Sequence, residues 1–104
     1  MRTGNEEAHR YGSEAYFKTE TFLTPEALAG ILSKQPKFII IDSHGLGPSG
    51  AVHKGIDQTC EAHNCHVIEN VNLVPVKGLS ALKVKIVVDL TNTSTGKPCQ
   101  VFML

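Results

Sequence analysis

Thr24 to Asp42 reads TPEALAGILSKQPKFIIID, and this stretch decides the fold class. Thr24 offers an N-cap hydroxyl, and Pro25 suits the first helical position, where its missing N–H is no loss. Leu28, Ile31 and Leu32 then recur at the three-and-four spacing of a packed helix face. Gln35-Pro36 stops the helix, because proline drives the residue before it out of the helical region. Lys37 to Asp42 follows as a continuous apolar strand, the pattern of a strand buried on both faces. A helix running straight into such a strand predicts an α/β layer arrangement.

Downstream lies a glycine-rich loop, Ser43 to Gly50 (SHGLGPSG). Its plainest reading is a flexible connection, and it carries neither a Walker pattern nor a dinucleotide fingerprint. A loop at the carboxyl end of a buried strand is nonetheless where α/β proteins place ligands, which makes Ser43, His44 and Gly45 candidate ligand-binding residues. Ala51 to His63 reads as a helix, His66 to Asn70 as a strand and Val74 to Gly78 as a turn. Leu82 to Leu90 is the longest strand, with Leu82, Val84 and Ile86 alternating against Lys83 and Lys85 on a solvated face. A polar turn over Thr91 to Lys97 leads to a last strand, Cys99 to Leu104. Upstream, residues 1–20 are weakly patterned and predict weak order, with a frayed helix over Glu6 to Phe17. The expectation is one domain over 1–104, with two or three helices packed on a mixed sheet of roughly four strands.

Composition excludes several function classes. A chain of 104 residues that is 41% hydrophobic forms one small domain with a modest core. Its formal net charge is zero and its basic residues are scattered, so it carries no electrostatic footprint for nucleic acid or an anionic membrane. The longest apolar run, Phe38 to Ile41, is far too short to span a bilayer. Met1 to Arg10 shows no signal-peptide pattern. Three cysteines, an odd number without a secretory signal, predict reduced thiols and a cytoplasmic setting.

The chemistry concentrates in Gly50 to Leu73. His53, Asp57 and Glu61 recur at one-turn intervals along the predicted helix, where side chains four apart share a face. Glu69 ends the run His66-Val67-Ile68, has no packing role there, and needs a partner. An imidazole and carboxylates converging from a helix and the next strand suit a divalent-metal or acid/base site, with His53, Asp57 and Glu69 as candidate metal ligands. The competing reading is a solvated first helical turn and one hydrogen-bonded glutamate. Cys60, His63, Cys65 and His66 are zinc-ligand types, but they crowd into seven residues with no second pair elsewhere. The alternative is a helix C-terminus, with His63 near the negative end of the dipole and Cys65 a small buried hydrophobe. Cys60 lacks the orienting group that a nucleophile needs, and Cys99 reads as a core position in a strand.

In order along the chain, several strings resemble the cyclase family of metal-dependent hydrolases, which includes bacterial kynurenine formamidase (arylformamidase) and isatin hydrolase. Arg2-Thr3-Gly4 resembles the family's RTG(W) strand end. Ala15-Tyr16-Phe17 with Leu23-Thr24-Pro25-Glu26-Ala27 resembles its YF…LSPEAA helix, and Ile39 to Ser43 its VGIDT/S strand. Val67 to Leu73 is similar to ILENLxNL, and Thr95 to Phe102 to the closing GSGxPCRVFA. The family's N-terminal motif HxGTHxDxPxH, source of three metal ligands, has no counterpart here, so the resemblance is to the C-terminal half alone. Where usual members place a histidine twelve residues before the strand glutamate, this chain has Asp57, with His53 one turn earlier. His53, Asp57, Gln58 and Cys60 fit the EHxxxDQxC helix of one branch.

The resemblance implies the C-terminal half of a swivelling β/β/α domain and a zinc or manganese ion that activates water against an amide or lactam. It implies N-acyl aromatic amines or cyclic amides as the substrate class. With half the metal motif absent, the expected protein is a truncated, arylformamidase-like relative whose site is incomplete alone. Its expected partners are further copies of itself or a complementary chain. The alternative is a non-catalytic module that binds a small molecule or drives oligomerisation while retaining the fold.

Overall fold

The computed structural model describes residues 1–19, 23–94 and 96–104. Its elements run α1 (Asn5–Ala8), α2 (Glu14–Lys18), α3 (Pro25–Leu32), β1 (Phe38–Ile40), α4 (Ala51–Ala62), β2 (His66–Ile68), a 3-10 turn (Val74–Val76), β3 (Val84–Val88) and β4 (Cys99–Met103). This is a small α/β fold. Thr24 caps α3 as its sequence predicts, its hydroxyl accepting from the Ala27 N–H at 3.1 Å. Leu28 and Leu32 of α3 are buried and Ile31 packs beside them.

The strands form two separate sheets where one mixed sheet was expected. β1 and β2 pair in parallel, Phe38 opposite His66 and Ile40 opposite Ile68, with α4 as the crossover between them. β3 and β4 pair with each other in an antiparallel ribbon, Val84 opposite Met103 and Val88 opposite Cys99. The register puts Val84, Ile86, Val88, Cys99, Val101 and Met103 on one face of that ribbon, because strand side chains alternate. That face joins no core. Ile86 and Val101 at its centre and Cys99 at one end are half-buried, while Val84, Val88 and Met103 stay exposed. Cys99 is thus not the core residue its strand position predicts.

The core gathers Leu28 and Leu32 from α3, Ile39 and Ile41 around β1, Leu46 from the loop, and Cys60 and Cys65 bracketing the end of α4. Among the described residues, none before Leu23 belongs to it. The first nineteen residues, expected to be weakly ordered with one frayed helix, instead carry α1 and α2 and bury Asn5 and Tyr16. They are held by polar bonds. Both oxygens of Asp42 are engaged: Oδ1 accepts from the Thr3 N–H at 2.6 Å and the Thr3 hydroxyl at 2.7 Å, and Oδ2 from the Gly4 N–H at 2.9 Å. Glu20 of that segment and Thr95 of the last polar turn lie outside the described residues. Among the described residues, no helix is long and apolar enough to cross a membrane.

Candidate functional site

The carboxyl ends of β1 and β2 lie side by side. The Asn70 N–H donates to the Ser43 carbonyl at 2.9 Å, and the Val71 N–H to that of Ile41 at 3.1 Å. Asn70 takes a left-handed conformation, φ 60°, which asparagine tolerates better than most residues and which turns the chain sharply after Glu69. Glu69 therefore leaves the strand end beside the first turns of α4. His53 and Asp57, four apart on α4, meet it there.

The contact is close and centred on one atom. His53 Nε2 stands 3.1 Å from Asp57 Oδ2 and 3.3 Å from Glu69 Oε1. One ligand atom from each of the three residues lies within 4.8 Å of the other two, and no other such group exists among the described residues. All three side chains are only partly exposed. Glu61, two turns along from His53, is left out and exposed, because a helix drifts round by about 80° over eight residues. Asp57 keeps its second oxygen, Oδ1, buried and without a partner.

Burial pushes the Asp57 carboxyl above its ordinary value, and the nearby His53 offsets part of that rise. Burial likewise raises Glu69, with His53 lowering it and the Asp57 charge raising it further. Two carboxylates crowd one imidazole, and each resists ionisation more than it would in water.

The loop after β1 is packed, contrary to the expectation of a flexible connection: Ser43, Gly45, Leu46 and Gly47 are buried. Its three candidate ligand residues part company. Ser43 turns inward, its oxygen accepting from Asn5 Nδ2 at 3.1 Å. Gly45 backs the His53 ring, where a β-carbon would lie 2.4 Å from Nδ1. Only His44 lines a cleft, about 350 Å³ in volume, together with Phe17, Ser49, Gly50 and His53. The His44 ring stacks on Phe17 with centroids 6.0 Å apart, and its Nδ1 is buried without a partner.

Comparison with known proteins yields no match to any family model, curated protein or solved structure.

The remaining sequence candidates do other work. Cys60 and Cys65 are free, buried core thiols, and burial pushes Cys60 up to about 11. His63 caps the end of α4, its Nδ1 2.8 Å from the Thr59 carbonyl, and His66 pairs with the Phe38 ring across the strands. These four residues form no metal cluster among the described residues. Sequence reasoning missed Asn5, Tyr16 and Asn70. Asn5 Nδ2 donates to the Tyr16 carbonyl at 3.2 Å, and the Tyr16 hydroxyl donates to Asn70 Oδ1 at 2.9 Å, beside Glu69. No spacing rule joins these positions.

Proposed function

We propose that His53, Asp57 and Glu69 bind a divalent cation, and that the chain is a half-domain relative of the cyclase-type, arylformamidase-like amide hydrolases. The observation that carries this reading is the unpartnered Asp57 Oδ1 beside an imidazole nitrogen already facing two carboxylate oxygens. A single proton on Nε2 answers two acceptors and leaves Oδ1 unmet. A dication answers all three ligands and neutralises both carboxylates. One imidazole and two carboxylates form a donor set suited to zinc or manganese.

Bound there, the cation supplies Lewis acidity toward a carbonyl and toward water. The chain's own groups orient and confine. Gly45 holds the His53 ring against the two carboxylates, Asn70 fixes the turn that aims Glu69, and the Phe17–His44 stack walls one side of the cleft next to His53. Three protein ligands and an open side meet the minimum for a catalytic zinc site, but nothing here replaces the histidine-rich half of the family's motif. Hydrolysis therefore requires ligands from outside these 104 residues, and a further copy or a complementary chain is the proposed source. The cleft at His44 also favours a second reading, a small-molecule-binding module without turnover.

The test is plasma mass spectrometry of the purified protein, with titration of manganese and zinc into the metal-stripped form. Near-stoichiometric metal that is lost on Glu69→Gln is expected. No metal in a folded protein overturns the proposal, as does metal that survives Glu69→Gln and disappears on Cys60→Ser.

A further inference from the structure

We propose that residues 3–17 form a strap, latched by Asp42, that opens and closes as a unit over the cleft of His44 and His53. The apolar cluster from Leu28 to Cys65 takes no side chain from the strap, whose one buried hydrophobic residue, Tyr16, lies outside that cluster. The strap instead has its own aromatic group. Tyr16 packs edge-on against Tyr11 at 5.4 Å and Phe17 at 5.2 Å, and Phe17 stacks on His44.

Beyond the contacts of Phe17 and Tyr16 with the His44 ring, its attachment to the body is polar and concentrated. Asp42, only 2% exposed, accepts three bonds from Thr3 and Gly4. Asn5 bridges the strap's two ends to the body by donating to the Tyr16 carbonyl and to Ser43. The Tyr16 hydroxyl reaches Asn70, and Glu7 pairs with Lys77 at 2.7 Å on the surface. Segments held by few contacts outside the main core open with less free energy than global unfolding. Gly4 at φ 85° and Gly12 at φ 88° supply left-handed joints at its start and middle. Opening withdraws Phe17 from the cleft wall and uncovers His44, so the strap governs what reaches His53. The device stands independently of whether the cluster behind it holds a metal.

Native-state hydrogen exchange tests this. The amides of Thr3, Gly4, Tyr16 and Phe17 should exchange as one set, ahead of the Ile41 and His66 amides that bond across the strands. Asp42→Asn should speed the first set by about tenfold or more, as loss of bonds to a charged acceptor does, and leave the second set nearly unchanged. Thr3→Val, which deletes one of the three bonds, should act the same way more weakly and serves if Asp42→Asn fails to fold. With no tryptophan and only Tyr11 and Tyr16, Tyr11→Phe leaves Tyr16 as sole fluorophore. Acrylamide quenching of its emission should rise in the Asp42→Asn background. A single protection shared by strap and strands, with one common response to both variants, overturns the proposal.

Discussion

Gly45 stands so close to His53 that a β-carbon on it would lie 2.4 Å from the ring's Nδ1 and 2.5 Å from its Cε1. Gly45→Ala must therefore displace an imidazole pinned on its far side by two carboxylates. The expected cost is about 1–3 kcal/mol in urea unfolding, with a matching loss of cation affinity in titration. Gly47→Ala is the control. Its β-carbon would meet Ile56 Cδ1 at the same 2.4 Å, but that atom is the free tip of a flexible side chain. Equal damage from both substitutions would refute the pinned-ring account.

Glu69→Gln should stabilise the metal-free protein at neutral pH. Burial leads in raising both Asp57 and Glu69, so the folded state holds protons that the unfolded state has already released. Stability then falls as pH rises from the ordinary carboxylate range through the raised folded values. Removing one of the two charges lifts that penalty, and a melting temperature a few degrees higher at pH 7 is expected. The gain should shrink as pH falls through the ordinary values of 3.8 and 4.5 and vanish well below them, where both carboxyls carry protons in the folded and unfolded states alike. Added manganese should reverse the order of wild type and variant.

Asp42 behaves with the opposite sign. Burial pushes its carboxyl up, but the bonds from Thr3 and Gly4 outweigh burial and hold it below the ordinary value. Such a group stabilises the fold above its unfolded pKa of 3.8, and that contribution is lost as pH falls through the lowered folded value. Tyr16 fluorescence in Tyr11→Phe should therefore change in strong acid, below the range in which Glu69 takes up its proton. Asp42→Asn should remove the acid step.

The three thiols should separate kinetically. Cys60, 0% exposed and with its thiol pushed up to about 11, and Cys65, buried and also raised, should resist iodoacetamide at pH 8 in the folded protein. Half-buried Cys99 on the ribbon should react first. Labelling followed by peptide mass spectrometry checks the order, and fast modification of Cys60 would count against its place in the core.

Helix, strand and crossover were legible because their signals are local. Thr24-Pro25 announces a cap, FIII a strand, and the four-residue spacing of His53 and Asp57 a shared face. But β1 is not buried on both faces as its apolar run predicts, since Phe38 is exposed and Ile40 half-buried in a two-stranded sheet. Glu69 could be added because a carboxylate at the end of an apolar strand invites a partner. The sheet division was not legible: alternation gives β3 an apolar face but does not say whether a core waits opposite it. The strap was hidden for another reason. Its order comes from Asp42, Asn5 and Tyr16 reaching across 11 to 54 positions, and no periodicity records such bonds.

The parallel register of β1 and β2 also imposes an order of events. Phe38 cannot meet His66 until all the chain between them has folded back, so this ladder bears a loop-closure entropy that local bonds do not. Helix α4 lies wholly within that loop, and forming it early shortens the span to be closed. Yet α4 starts from Gly50 without a side-chain cap and carries Gly55 inside, where an added β-carbon would meet nothing within 4 Å. Gly55→Ala should strengthen α4 by up to about 1 kcal/mol and speed refolding in stopped-flow more than it slows unfolding. A bare position on the helix surface would then set how quickly His53 and Glu69 first come together.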